Sequence, residues 1–178
     1  MIIQGPYAIQ ADRASGTREA VWIQCETAQS ADITKGQLCA WDTVDNTAVS
    51  GILQNTKGLR VVVCPTAEAS DVADGKRRVA GFAHTTIPGF AGFASGRSAT
   101  NLLLQVYGFR NDVVADTDGA SDIVVGGSIG PSGDTPGAVE GSQITVPTGN
   151  EVLKTVGMSF EAVAINNVVV INAWIRCM

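Results

Sequence analysis

Asn167-Val168-Val169-Val170-Ile171-Asn172-Ala173-Trp174-Ile175-Arg176-Cys177, at the end of the chain, is the stretch whose reading decides the fold. In a β-strand successive side chains point to opposite faces. Val169, Ile171, Ala173, Ile175 and Cys177 then form one wholly apolar face, and Val168, Val170, Asn172, Trp174 and Arg176 form a mixed one. That is the period-2 signature of a strand laid on a core. Residues 101–109 repeat the pattern: Leu102, Leu104 and Val106 point one way, and Leu103, Gln105, Tyr107 and Phe109 the other.

The same texture runs through the chain from about residue 20. Residues 20–25 alternate, with Val21, Ile23 and Cys25 opposite Trp22 and Gln24. Residues 33–37 look like a turn feeding a strand through Leu38, Cys39, Ala40 and Trp41, and 48–53 bring the chain back. Further short runs lie at 59–64, 77–83, 113–114, 123–125, 144–146 and 152–160, the last with a kink at Gly157. Many short β-branched runs between Gly-, Pro-, Asn- and Asp-rich turns, with no long helical period, predict an all-β single domain: a β-barrel or β-sandwich of many short strands. Residues 1–19 are polar and broken by Gly5-Pro6, so they are expected to form an extended N-terminal arm anchored by Ile2, Ile3, Tyr7 and Ile9, with the β-rich domain spanning 20–178.

The chain has 178 residues, of which 45% are hydrophobic and only 16% charged, against roughly 25% charged in an ordinary soluble domain. One explanation is that copies or partners cover part of the surface; the other is that Ser, Thr, Asn and Gln supply the polarity. Strands whose second faces carry large side chains favour the first, because aromatic residues and Arg are enriched at interfaces. Trp22, Leu103, Tyr107, Phe109, Trp174 and Arg176 are the candidate interface residues on these faces. A barrel with loops folded over both faces is the competing reading.

The net charge of −5 argues against nucleic-acid binding, which needs clustered Lys and Arg; Lys76-Arg77-Arg78 is a short run expected in a solvated turn. The N-terminus carries no basic and apolar leader, and no stretch approaches the roughly 18 apolar residues of a membrane helix, so neither a secretory route nor a membrane is expected. The four cysteines, Cys25, Cys39, Cys64 and Cys177, lack any Cys-x-x-Cys spacing and sit in apolar runs, so buried thiols are expected rather than a metal site.

Several motifs stop short of chemistry. Gly126-Gly127-Ser128-Ile129-Gly130 matches the Gly-x-Ser-x-Gly of hydrolases, but Pro131, Gly133 and Pro136 forbid the helix that must follow, and the only histidine, His84, lies upstream. A strand-to-strand turn explains it better. Asp116-Thr117-Asp118-Gly119 resembles part of a calcium loop, yet the first and twelfth ligand positions fall on Val114 and Val125; a loose site with Asp112 or Asp122 is the alternative to a simple hairpin turn. His84, without a second His or a thiolate, is expected to be structural. No catalytic set, metal site or cofactor follows from the sequence.

Taken together, Asp32-Ile33-Thr34-Lys35-Gly36-Gln37-Leu38 leading to Trp41-Asp42, then Arg78-Val79-Ala80-Gly81-Phe82-Ala83 with the Gly-rich 87–96 behind it and the strand into Val106-Tyr107-Gly108, and finally 123–130 followed by Thr155-Val156-Gly157-Met158-Ser159-Phe160-Glu161-Ala162 and the closing strand, resemble the capsid decoration (cement) proteins of tailed bacteriophages. The likeness is one of pattern over most of 30–178, with 134–140 set apart as an insertion. It implies a non-enzymatic, β-rich homo-oligomer, commonly a trimer, made in the host cytoplasm. Such a protein binds the major capsid protein on the outer capsid surface of the virion and stabilises capsomer contacts. The alternative is a carbohydrate- or receptor-binding β-sandwich module of a virion, for which Trp41-Asp42 and Trp174 with Arg176 are the candidate contacts.

Overall fold

The computed structural model describes residues 9–12, 20–27, 31–41, 60–66, 79–89, 100–117, 122–141, 155–164 and 168–177. Among these residues ten strands follow one another: β1 (Ile9–Asp12), β2 (Ala20–Thr27), β3 (Leu38–Trp41), β4 (Val61–Val63), β5 (Val79–Ala83), β6 (Thr100–Asp116), β7 (Ser128–Pro131), β8 (Val139–Gly141), β9 (Gly157–Ser159) and β10 (Val168–Arg176). The described residues hold no helix. The all-β expectation is met as a closed β-barrel with extra strands.

Closure is read from the pairing. β10 pairs β9, β9 pairs β7, β7 pairs β8, β8 meets β6 in parallel at Ala115 and Val139, and β6 returns to β10 antiparallel. A ring of this kind removes sheet edges that would otherwise offer unpaired backbone groups. The remaining strands extend from β6: β5, then β3, then β4 on one path, and β2 with β1 on the other.

Two expectations need correcting. Residues 113–114 are not a separate strand, because β6 runs unbroken for 17 residues from Thr100 to Asp116. It changes function along its length, pairing β2 and β5 through its first half and β10 through its second. A register shift opposite Asn172, between the pairs Ala173–Arg110 and Ile171–Val113, exchanges which alternate residues face inward. Val139 and Glu140, within the stretch 134–140, lie in barrel strand β8. Gln105 is not on an open face; it is buried, and its amide donates to the carbonyls of Tyr107 (3.2 Å) and Phe109 (3.0 Å). The side-chain amide there serves the backbone, as burial of a polar group requires. The expected strands at 48–53 and 144–146, and the basic run 76–78, lie outside the described residues.

The chain contains a repeat. Residues 31–41 and 121–131 share Asp-Ile-x-x-Gly, at Asp32-Ile33-Thr34-Lys35-Gly36 and Asp122-Ile123-Val124-Val125-Gly126. Several of their backbone hydrogen bonds correspond. Ile33 and Ile87 exchange backbone bonds, as Ile123 and Val163 do. Gly36 N–H donates to Ala83 O (2.9 Å), and Gly126 N–H to Ser159 O (2.8 Å). Ala83 N–H donates to Gln37 O, and Ser159 N–H to Gly127 O. His84 N–H donates to Leu103 O, and Phe160 N–H to Asn172 O, both at 2.9 Å. Both glycines have positive φ, +87° and +76°, which L side chains rarely adopt. The first repeat comprises β2, β3, β4, β5 and the first half of β6. The second comprises the second half of β6 with β7, β8, β9 and β10, and is the closed barrel.

Each repeat has its core. Cys25, Ile33, Cys39, Val61, Ala80, Ala83, Ile87, Leu102 and Leu104 form one. The other is built on Val113, Ala115, Ile123, Ile129, Val139, Val163, Ile171, Ala173 and Ile175, joined by Leu38, Ala40 and Phe82. β3 and β5 therefore bury both faces, Cys39 and Ala80 toward one core and Leu38 and Phe82 toward the other. This accounts for their apolar residues without alternation. Each fully buried Leu, Ile or Phe is worth about 1.5–3 kcal/mol of transfer free energy.

Candidate interaction face

The mixed face of the closing strand lies on the outside of the closed barrel. Val168 and Val170 are exposed, at 68% and 58%, although both are large and apolar. Across the ladder, Val170 stands opposite Val114, Trp174 opposite Phe109 on one side and Met158 on the other, and Arg176 opposite Tyr107. The rings of Tyr107 and Trp174 meet edge to face with centroids 5.4 Å apart, and Phe109 and Phe160 tilt against each other at 5.8 Å. Met158 and Phe160 remain exposed beside them. At the end of β9, tied to Ser159 by the bonds of Gly126 and Gly127, Val124 and Val125 stand out at 58% and 67%.

The backbone beneath this face is held firmly. Ser159 Oγ donates to Glu161 O (2.7 Å) and accepts from Glu161 N–H (3.1 Å). The Glu161 carboxylate accepts from the backbone N–H and the side-chain amide of Asn172. Gly157 is required by close approach, since a Cβ there would lie 2.3 Å from Trp174 O. Apolar side chains on such a scaffold are presented to a partner with little further ordering cost.

Of the residues expected at an interface, Tyr107, Phe109, Trp174 and Arg176 are brought together here; all but Arg176 are half-buried. Trp22 and Leu103 are not part of this cluster. They belong to the first repeat, where the Trp22 ring stands edge-on to His84 at 4.4 Å and Leu103 pairs Gln24. Ile9 lies in β1, opposite Ile23, so part of the expected arm pairs with the domain. Ile2, Ile3 and Tyr7 lie outside the described residues. Val124, Val125, Met158 and Phe160 are not among the candidate interface residues of the sequence, and Val168 and Val170 enter there only through the mixed face of the closing strand. The signal was available in the Val124-Val125 of the second Asp-Ile-x-x-Gly, where the first has Thr34-Lys35.

The motifs that stopped short of chemistry have structural places. Ser128 opens β7 after the Gly126 turn, as a strand-to-strand connection demands. Asp116 is buried at the end of β6, and among the described residues no three His, Cys, Asp or Glu side chains gather to hold a metal. Asp118 lies outside the described residues. Cys25, Cys39 and Cys64 are buried and Cys177 half-buried, all as free thiols. Burial pushes the Cys25 and Cys177 thiols up to about 12. Trp41 is half-buried against the first-repeat core, so it offers no open platform for a sugar; Asp42 lies outside the described residues.

A polar cluster joins the two repeats. Buried Arg110 donates from its guanidinium to Phe82 O (3.3 Å) and Ala83 O and is ion-paired with Asp112. Asp112 also pairs with Lys35 at 2.9 Å. The cluster binds β5 and the Gly36 loop to the middle of β6. Its groups are engaged with the protein's own backbone, which is the arrangement of a fastening rather than of an acid–base site.

No family model, curated protein or solved structure matches this chain.

Proposed function

We propose that this chain is a structural capsid decoration protein. It binds the outer surface of a bacteriophage head as a homo-oligomer, a trimer, and stabilises contacts between capsomers made by the major capsid protein. The observation that carries the reading is the outer face of the closed barrel. Val168, Val170, Met158 and Phe160 are exposed there beside the Tyr107–Trp174 pair. Contiguous exposed apolar surface on a rigid scaffold fits protein–protein contact. The fold itself does not call for it, because at the place of Val170 the first repeat carries the polar Asn101. The net charge of −5 suits a surface turned away from packaged DNA. Repetition over a lattice multiplies modest contacts into firm attachment.

The test is co-sedimentation of the full chain with phage heads that lack it. Saturable binding, accompanied by greater resistance of the heads to heat, supports the reading. A chain that stays in the supernatant overturns it. Saturable binding to a glycan instead would move the assignment to a virion receptor-binding module centred on Trp174 and Arg176.

A further inference from the structure

The repeat supplies an internal precedent for what covers the exposed loop of the closed barrel. In the first repeat the Gly36 loop is roofed by the second half of β6. Val114 N–H donates to Gly36 O at 3.2 Å, and Lys35 pairs with the Asp112 carboxylate. A Cβ on Gly36 would lie 1.9 Å from Asp112 O, so the roof rests directly on the glycine. In the second repeat the same loop, Val124 to Gly127, has no such roof among the described residues: a Cβ on Gly126 would meet nothing of theirs within 4 Å.

The roofing strand also has a counterpart. The second half of β6 opens the second repeat as β2 opens the first. The registers align Val113, opposite Ile171, with Cys25, opposite Leu102, and Arg110, opposite Ala173, with Ile23, opposite Leu104. Gln24 therefore stands where Asp112 does, directly before the aligned pair. Gln24 is exposed.

Loop and roof change character together. Within the chain, Lys35 and His84 on the loop side face Arg110 and Asp112 on the roof side. At the equivalent places the loop side carries Val125 and Phe160, and the roof side carries Ile23 and Gln24. A charged contact in one setting corresponds to an uncharged one in the other, on both surfaces. The match between these two surfaces of one chain favours a second copy over an unrelated partner.

We infer that the Val124–Gly127 loop with Phe160 is a self-association site that seats the β2 segment around Gln24 of a second copy, repeating between chains the contact that joins the two repeats within one. This rests on the reading of the chain as a self-associating protein and specifies its surface. The contact joins two different patches, so it is heterologous and closes into a ring or extends as a chain of copies.

The test transplants the internal ion pair. Solution mass by light scattering is measured for the full chain, for Val125→Lys, and for Val125→Lys combined with Gln24→Asp; circular dichroism verifies that each is folded. The expected results are an oligomer for the parent, at least a tenfold weaker association for V125K, and restored association when Q24D is added. In the double variant, lysine and aspartate occupy the places of Lys35 and Asp112 across the contact. A parent of single-chain mass, an unchanged oligomer in V125K, or no restoration in the double variant would overturn the inference. Head co-sedimentation is read separately. An oligomer that behaves as expected yet ignores phage heads would sink the decoration reading and leave this site standing.

Discussion

Gly36 and Gly126 occupy the same place in two copies of one loop, and among the described residues only Gly36 is roofed. Both need a positive φ, which costs a substituted alanine about 1–2 kcal/mol. At Gly36 a Cβ would also drive into the carbonyl of Asp112. In protein dilute enough not to self-associate, Gly36→Ala is therefore expected to destabilise by clearly more than Gly126→Ala, which should lose only that 1–2 kcal/mol. Urea unfolding of both variants measures the difference, and equal losses would mean that the two loops are not in the distinct settings described.

Arg110 fastens the repeats. It is buried, donates to the carbonyls of Phe82 and Ala83, and pairs with Asp112. Removing it leaves the Phe82 and Ala83 carbonyls without this donor and Asp112 with Lys35 alone, at a cost of about 1–3 kcal/mol. Arg110→Ala is expected to fall in that range by chemical denaturation. A loss under about 1 kcal/mol, the size typical of an exposed pair, would show that solvent already serves this cluster.

The thiols should be slow. With Cys25 and Cys177 pushed up to about 12 by burial, and Cys39 raised as well, the nucleophilic thiolate is scarce at pH 8. Reaction of the native protein with a thiol-disulfide reagent is expected to run roughly a thousandfold slower than that of a free thiol, and all four cysteines should label after denaturation. Rapid labelling of a native cysteine would place at least one of them in a different environment.

His84 gives the fold a pH dependence of known sign. Burial, and then the neighbouring Arg110, holds its imidazolium form below the ordinary value of 6.5, partly offset by Asp112. The unfolded chain takes up this proton first as pH falls below 6.5, so stability declines from there down to the folded value. The urea midpoint at pH 5.5 is expected to lie below that at pH 7.5, and His84→Gln should reduce the difference. An undiminished difference in H84Q would assign the effect to the carboxylates.

The strand alternation of residues 167–177 was legible because it records burial directly: Ile171, Ala173 and Ile175 are buried and Val168, Val170 and Arg176 exposed. The turn at Gly126 was legible for the same kind of reason, since glycine and proline constrain the backbone wherever they stand. Barrel closure was not. It depends on β8, a strand of three residues at Val139–Gly141 whose composition resembles a loop. The continuity of β6 was hidden by Asn111 and Asp112, polar residues at the register shift where alternation changes phase. Half of the outer face was anticipated from its aromatic residues. The rest required knowing that Val124 and Val125 sit in a loop whose sister carries Thr34 and Lys35, a comparison that acquires physical meaning only once the matching hydrogen bonds are seen.

Electron cryomicroscopy of phage heads incubated with the full chain tests whether it coats the head from outside, as proposed. Added density is expected on the outer surface, with the exposed face of the closed barrel against a neighbouring copy or the shell. Heads that carry no added density at saturating protein, or density confined to their interior, would contradict the proposal.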